Sequence, residues 1–203
     1  MILVRLVSLA LVSGLLVAAG PTAAVVGNGN RAVAQDDECA YTGTPFRPTT
    51  LSIPGTVKRA TVLALGRDRN NVPKAPPLSD SGKRQFAWNK GDRRPGTQAA
   101  VVKMNAHTYP DGSAMGNRLL NELYIGDVII VRGENGQKLC YDVVDRAQVT
   151  AKKRVRTYYR NAGPPRLGIV VCSGKRSAGG NWSHRTFWYA APRQALDKAE
   201  PLN

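Results

Sequence analysis

The chain has 203 residues, 42% of them hydrophobic, enough to bury the core of one ordinary domain. Its 29 Lys and Arg against 14 Asp and Glu give a net charge of +15, which favours a polyanionic partner such as an envelope polymer or lipid headgroups, and equally serves as a solvated surface. No nucleic-acid module is recognisable, no nucleic-acid partner is expected, and neither a cofactor nor a metal is expected.

At the N-terminus, the cationic end Met1-Ile-Leu-Val-Arg5 precedes an uncharged apolar run over residues 6–26. A run of about 20 residues at about 1.5 Å each spans a bilayer, so residues 1–34 are read as a signal or membrane anchor. The preferred reading is a single uncleaved anchor at the cell membrane with the rest extracytoplasmic. The alternative is secretion after cleavage near Ala34, at the small-residue stretch Ala32-Val33-Ala34. Residues 35–45 form a linker, 46–193 the folded domain and 194–203 a C-terminal tail.

Within the domain, short β-type runs alternate with Gly, Pro, Asn and Asp turns, the pattern of an antiparallel sandwich or barrel. Strands are predicted at Thr50–Ile53, Ala60–Leu65, Ala99–Met104, Asp127–Val131, Lys138–Val144, Leu167–Cys172 and Thr186–Ala190. One helix is predicted at Met115–Leu123, where apolar residues recur at helical spacing behind capping residues in Asp111-Gly-Ser113. Residues 66–85 hold three prolines and no apolar periodicity, which marks a long surface connection.

Three cysteines in an exported protein suggest one pair and one thiol left over. In the strand Lys138–Val144, alternation puts Leu139, Tyr141 and Val143 on one face and Cys140 with Asp142 on the other. A Cys39–Cys140 disulfide would then staple the N-terminal arm to the domain; unpaired, Cys140 would be a small buried hydrophobe. Cys172 ends an apolar run and is followed by Lys175 and Arg176, whose charges favour a thiolate. By itself that position favours core packing over a nucleophile.

A cysteine nucleophile needs an imidazole and an oxyanion donor. His107 follows a predicted strand, His184 precedes one, and Arg185 enters the strand after the Gly-rich loop that begins at Ser173. This ordered set, with 65 residues from His107 to Cys172 and 13 from Cys172 to Arg185, resembles the sortases, the cysteine transpeptidases of Gram-positive cell surfaces. The resemblance runs from about Phe46 to Ala191. The stretch around Asn117-Arg-Leu-Leu120 and Gly126-Asp127 is similar to the smaller class E and F types.

The resemblance implies an all-β fold, a closed barrel of about eight strands with one or two short helices. It implies that Cys172 is the nucleophile, His107 the general acid and base, and Arg185 the stabiliser of oxyanion or substrate, with Val171, Trp182 and Thr108 at the substrate site. The donors would be surface proteins with sorting signals of the Leu-Pro-x-Thr-Gly kind, and the acceptor an amine of a cell-wall precursor or protein. Sortases carry Thr-Leu-x-Thr-Cys where this chain has Gly168-Ile-Val-Val-Cys172, so both threonines are missing. Two rivals stand beside this reading. NlpC/P60-type peptidases and L,D-transpeptidases expect other contexts for their cysteine than "RLGIVVCSG". A non-catalytic, basic envelope-binding protein predicts a Cys172 that is buried or disulfide-bonded.

Overall fold

The computed structural model describes Cys39 and residues 44–193. The predicted signal or anchor, most of the linker and the C-terminal tail lie outside the described residues. Eight strands close into one barrel in the order β1-β2-β3-β4-β7-β8-β6-β5. Two pairings are parallel, β2 with β3 and β4 with β7, and the rest are antiparallel.

Local chemistry sets the short turns. Between β1 (Pro48–Ile53) and β2 (Val57–Leu65), Pro54 supplies a fixed φ and Gly55 the positive φ of +81° that a type II turn requires. β3 (Phe86–Asn89) and β4 (Val101–Ala106) follow, then α1 (Met115–Glu122), β5 (Val128–Gly133) and β6 (Lys138–Thr150). The short helix α2 (Arg156–Tyr159) leads to the long hairpin of β7 (Arg166–Arg176) and β8 (Trp182–Pro192).

Alternation along each strand fills the barrel. Leu51, Ile53, Phe86, Met104, Ile129, Leu139, Leu167, Ile169 and Trp188 lose essentially all contact with solvent in one continuous core. Helix α1 adds Met115 and Leu119 to it, and the Trp188 indole N–H donates to the Leu123 carbonyl at the helix end (3.1 Å). A second, smaller cluster lies apart from that core, where Tyr158 of α2 packs on Phe187 and Tyr189 with Val149, Val155 and Val170 around them. The Tyr158 hydroxyl donates to the Met104 carbonyl (3.0 Å), which satisfies a phenol that burial holds in its neutral form.

The strands and the helix predicted from periodicity are present with shifted ends. Three elements were not predicted: β3, α2 and one turn of 3-10 helix at Gly82–Arg84 within the connection 66–85. All four residues of β3 are buried, so it shows no alternation, and α2 is too short for a period to register. β6 runs on to Thr150 through a largely exposed half that only its pairing with β8 makes a strand. The capping of α1 also differs from expectation. Asp111 accepts hydrogen bonds from Ser113 N–H and Oγ in a turn of its own, while Asn117 Oδ1 reaches back to the Ala114 N–H (3.2 Å).

Cys39 and Cys140 form a disulfide that spans 101 residues, and Cys140 is fully buried beneath it. Closing a loop that long restricts the unfolded chain. Replacing both cysteines by serine should lower the unfolding free energy by about 2–4 kcal/mol, read as a lower denaturant midpoint with a slope that rises as the unfolded chain expands. An unchanged midpoint would show that the bridge does not hold the domain together.

Candidate active site

The parallel pairing of β4 with β7 and the antiparallel pairing of β7 with β8 build a three-strand ladder. Lys103, Gly168 and Tyr189 form one rung; Asn105, Val170 and Phe187 form the next. Residues directly paired across strands point to the same side. On this outer face the next rung holds Cys172 opposite Arg185, and β4 arrives there with His107, one residue past the Ala106–Val171 pair. Neighbouring strands lie about 4.8 Å apart, so the register puts Cys172, Arg185 and His107 in one row, the first two within the β7–β8 hairpin and His107 just past the end of β4.

Helix α2 occupies the lower rungs. A Cβ on Gly168 would lie 3.0 Å from two Tyr158 ring carbons and 2.8 Å from Val101, so glycine is what lets the tyrosine settle against β7. Above this aromatic cover the row of Cys172 stays reachable. Cys172 is a free thiol and half-buried. Burial pushes the thiol above its ordinary range, and the Arg185 guanidinium beside it pulls the other way without cancelling that effect. Lys175 and Arg176, expected to favour the thiolate, sit exposed on the hairpin, where solvent screens their charge.

The Arg185 and His107 side chains are each met by backbone carbonyls. Arg185 Nη1 donates to the His184 carbonyl (2.9 Å), with a longer contact to that of Trp182 (3.5 Å). His107 Nε2 lies 2.6 Å from the carbonyl of Pro76, in the connection between β2 and β3, and its ring lies 5.8 Å from that of Tyr109. Thr108 is buried and donates its hydroxyl to the Cys172 carbonyl at 2.6 Å. That bond ties the segment after β4 to the backbone of Cys172. Its partner explains a nearby glycine, since a Cβ on Gly116 would lie 2.4 Å from Thr108 Oγ1 and 2.5 Å from the His107 carbonyl.

Two residues expected at the substrate site are turned elsewhere. Val171 is 2% exposed and packs in the barrel core, because alternation points it away from the face of Cys172. The Thr108 hydroxyl is engaged with Cys172 and is not open to a ligand. Trp182 stays at the rim, half-buried at the start of β8 and paired with Arg176. His184 pairs with Ser173, so alternation sends its side chain to the opposite face from Cys172, where Nδ1 meets Ser183 Oγ (2.8 Å). Behind the row, Thr186 Oγ1 donates to Ser173 Oγ (2.9 Å), a buried pair that neither residue's sequence context announces.

The surroundings are cationic. From Arg146 to Arg193 the chain contains eleven Lys and Arg and no Asp or Glu. Lys152, Lys153 and Arg154 follow β6 at the rim where Ala151 N–H binds the Ser183 carbonyl, next to Lys175 and Arg176. Among the described residues no group of His, Cys, Asp and Glu is arranged to hold a metal ion.

The protein family described as "Sortase domain" matches residues 51–193. No curated protein matches the chain. Solved structures are similar in fold. For sortase C1 of Streptococcus suis the TM-score is 0.51 at 14% identity, over 76% of this chain and 77% of that one. Sortase C1 of Streptococcus agalactiae, in complex with MTSET, gives 0.52 at 14% identity over 75% and 72%. Sortase A of Listeria monocytogenes gives 0.50 at 11% over 71% and 86%.

Because burial disfavours the thiolate, the rate of Cys172 alkylation should still be rising at pH values above the ordinary thiol range. Arg185→Ala removes the cation that opposes burial and should move the rise to higher pH still. A profile that levels off below the ordinary range, or one indifferent to Arg185, would contradict this electrostatic account.

Proposed function

The chain belongs to the sortase family, and on that premise we propose that it cleaves a sorting signal of the Leu-Pro-x-Thr-Gly kind and transfers the protein to an amine of the cell envelope. The observation that carries the residue assignment is the single row of His107, Cys172 and Arg185 on adjacent strands. The barrel and its few short helices are those of the family's solved structures. That Cys172 is neither fully buried nor disulfide-bonded weighs against a purely structural role.

In this reading Cys172 gives its thiol proton to His107, which becomes imidazolium, and the sulfur attacks the carbonyl carbon after the Thr of the signal. An S–C bond forms and the carbonyl electrons move to oxygen, where Arg185 stabilises the charge. The oxyanion collapses, the C–N bond breaks, and His107 as imidazolium gives its proton to the departing amine. A thioacyl-enzyme remains. An incoming amine then loses a proton to His107, attacks the thioester and releases Cys172, so one amide is exchanged for another. With water as acceptor the same steps amount to hydrolysis.

Arg185 suits its role because a guanidinium presents donors in a fixed fork. Its Nη1 already leans on backbone carbonyls, and its other N–H groups remain for the ligand. Trp182 at the rim forms a wall of the acceptor side. Within the family we place the chain nearest the class E and F types, on the stretch 117–127. The apolar run at residues 6–26 supports anchoring in the membrane with the barrel outside the cytoplasm.

The test incubates the full-length protein with a panel of Leu-Pro-x-Thr-Gly peptides and an amine acceptor, followed by mass spectrometry. A covalent adduct on Cys172 and a transfer product are expected, and both should vanish in Cys172→Ala. His107→Ala should lower turnover by roughly 10²–10⁴-fold, whereas His184→Ala should retain it. Turnover that depends on His184 and not on His107 would overturn the assignment.

A further inference from the structure

We propose that His107 exchanges protons only through Nδ1, because the Pro76 carbonyl holds Nε2–H, and that Asn105 is the positioning residue that keeps this carbonyl in place. The inference rests on the sortase reading for the reaction but on independent geometry for the ring. Pro76 belongs to the connection between β2 and β3, which crosses the outer face of β4 as a strap. Its carbonyl lies 2.6 Å from His107 Nε2. A carbonyl only accepts, so Nε2 must carry the hydrogen in this bond.

The consequence for the chemistry is direct. In neutral imidazole the single N–H is then on Nε2 and the lone pair on Nδ1. In imidazolium both nitrogens carry a proton and Nε2–H still donates to Pro76. The carbonyl is satisfied in both states, so the ring passes a proton at Nδ1 without turning over. A held ring N–H is also what fixes tautomer and orientation in other histidine-based sites.

Several contacts fix the carbonyl itself. Lys74 N–H binds the Gly66 carbonyl (3.0 Å), and the Lys74 carbonyl accepts from Asn105 Nδ2 (3.1 Å). Asn105 stands one rung below His107 on the same face of β4. Pro73, Pro76 and Pro77 restrict the strap's backbone, and the following turn closes on it, since a Cβ on Gly82 would lie 1.9 Å from the Pro77 carbonyl oxygen. The ring is therefore set by a segment that touches neither β7 nor β8 in any contact described above.

The experiment uses the full-length protein with its histidines labelled with 15N. At a pH where the imidazole is neutral, the His107 signals should report a bare Nδ1 and a protonated Nε2. In Asn105→Ala the strap loses its tie, and the signals should shift towards a mixture of tautomers. Its kcat should fall about 10-fold, as for loss of an orienting partner, with KM unchanged. Gly82→Ala displaces the strap from its other side and should change tautomer and kcat in the same direction. A protonated Nδ1 in the unmodified protein would overturn the proposal, as would an Asn105→Ala variant with unchanged signals or with higher turnover, the mark of an occluding lid. Because the nitrogen signals need no turnover, a failure of the sortase reading would appear separately, as absence of any Cys172 adduct.

Discussion

The parallel pairing of β4 with β7 is the constraint from which the site follows. Parallel strands cannot be joined by a tight turn, and here the crossover between them contains α1, β5, β6 and α2. Only the register of that pairing brings the residue after Ala106 level with Cys172. A slip of one residue would turn Met104 and Ala106 out of the core, so the same burial that stabilises the barrel fixes His107 at the position one residue past the Ala106–Val171 pair. The Thr108 hydroxyl then fastens the two strand ends beyond the last ladder pair.

Around that row two electrostatic effects oppose each other. Burial raises the thiol's proton affinity and Arg185 lowers it, and burial prevails in the free protein. The many cations on the rim act at longer range and are screened by salt over a Debye length of about 8–10 Å. They draw anionic partners towards the face more effectively than they ionise a half-buried sulfur.

Much of this was legible in the chain. Alternation in Lys138–Val144 separated core side chains from Cys140, and the apolar run up to Cys172 located β7, although that strand continues four residues beyond the thiol to Arg176. What stayed hidden has physical causes. Val171 was expected at the substrate site because it stands where the family has Thr, but strand period 2 turns it to the face opposite Cys172, into the core. Lys175 and Arg176 looked like activating charges because they are near in number, whereas the strand carries them away from the sulfur. Pro76 and Asn105 were invisible as partners of the site because a proline-rich connection has no periodicity, and its contact with His107 spans 31 residues. β3 could not be told from other buried runs without its neighbours.

The bridge between Cys39 and Cys140 also has a redox consequence. Among the three cysteines of the chain, it leaves Cys172 with no second thiol to resolve an oxidised sulfur. A sulfenic acid formed there cannot close into an internal disulfide unless the structural bridge is first reduced. Its return to the thiol must instead come from an external thiol, and without one it advances to the irreversible sulfinic and sulfonic acids.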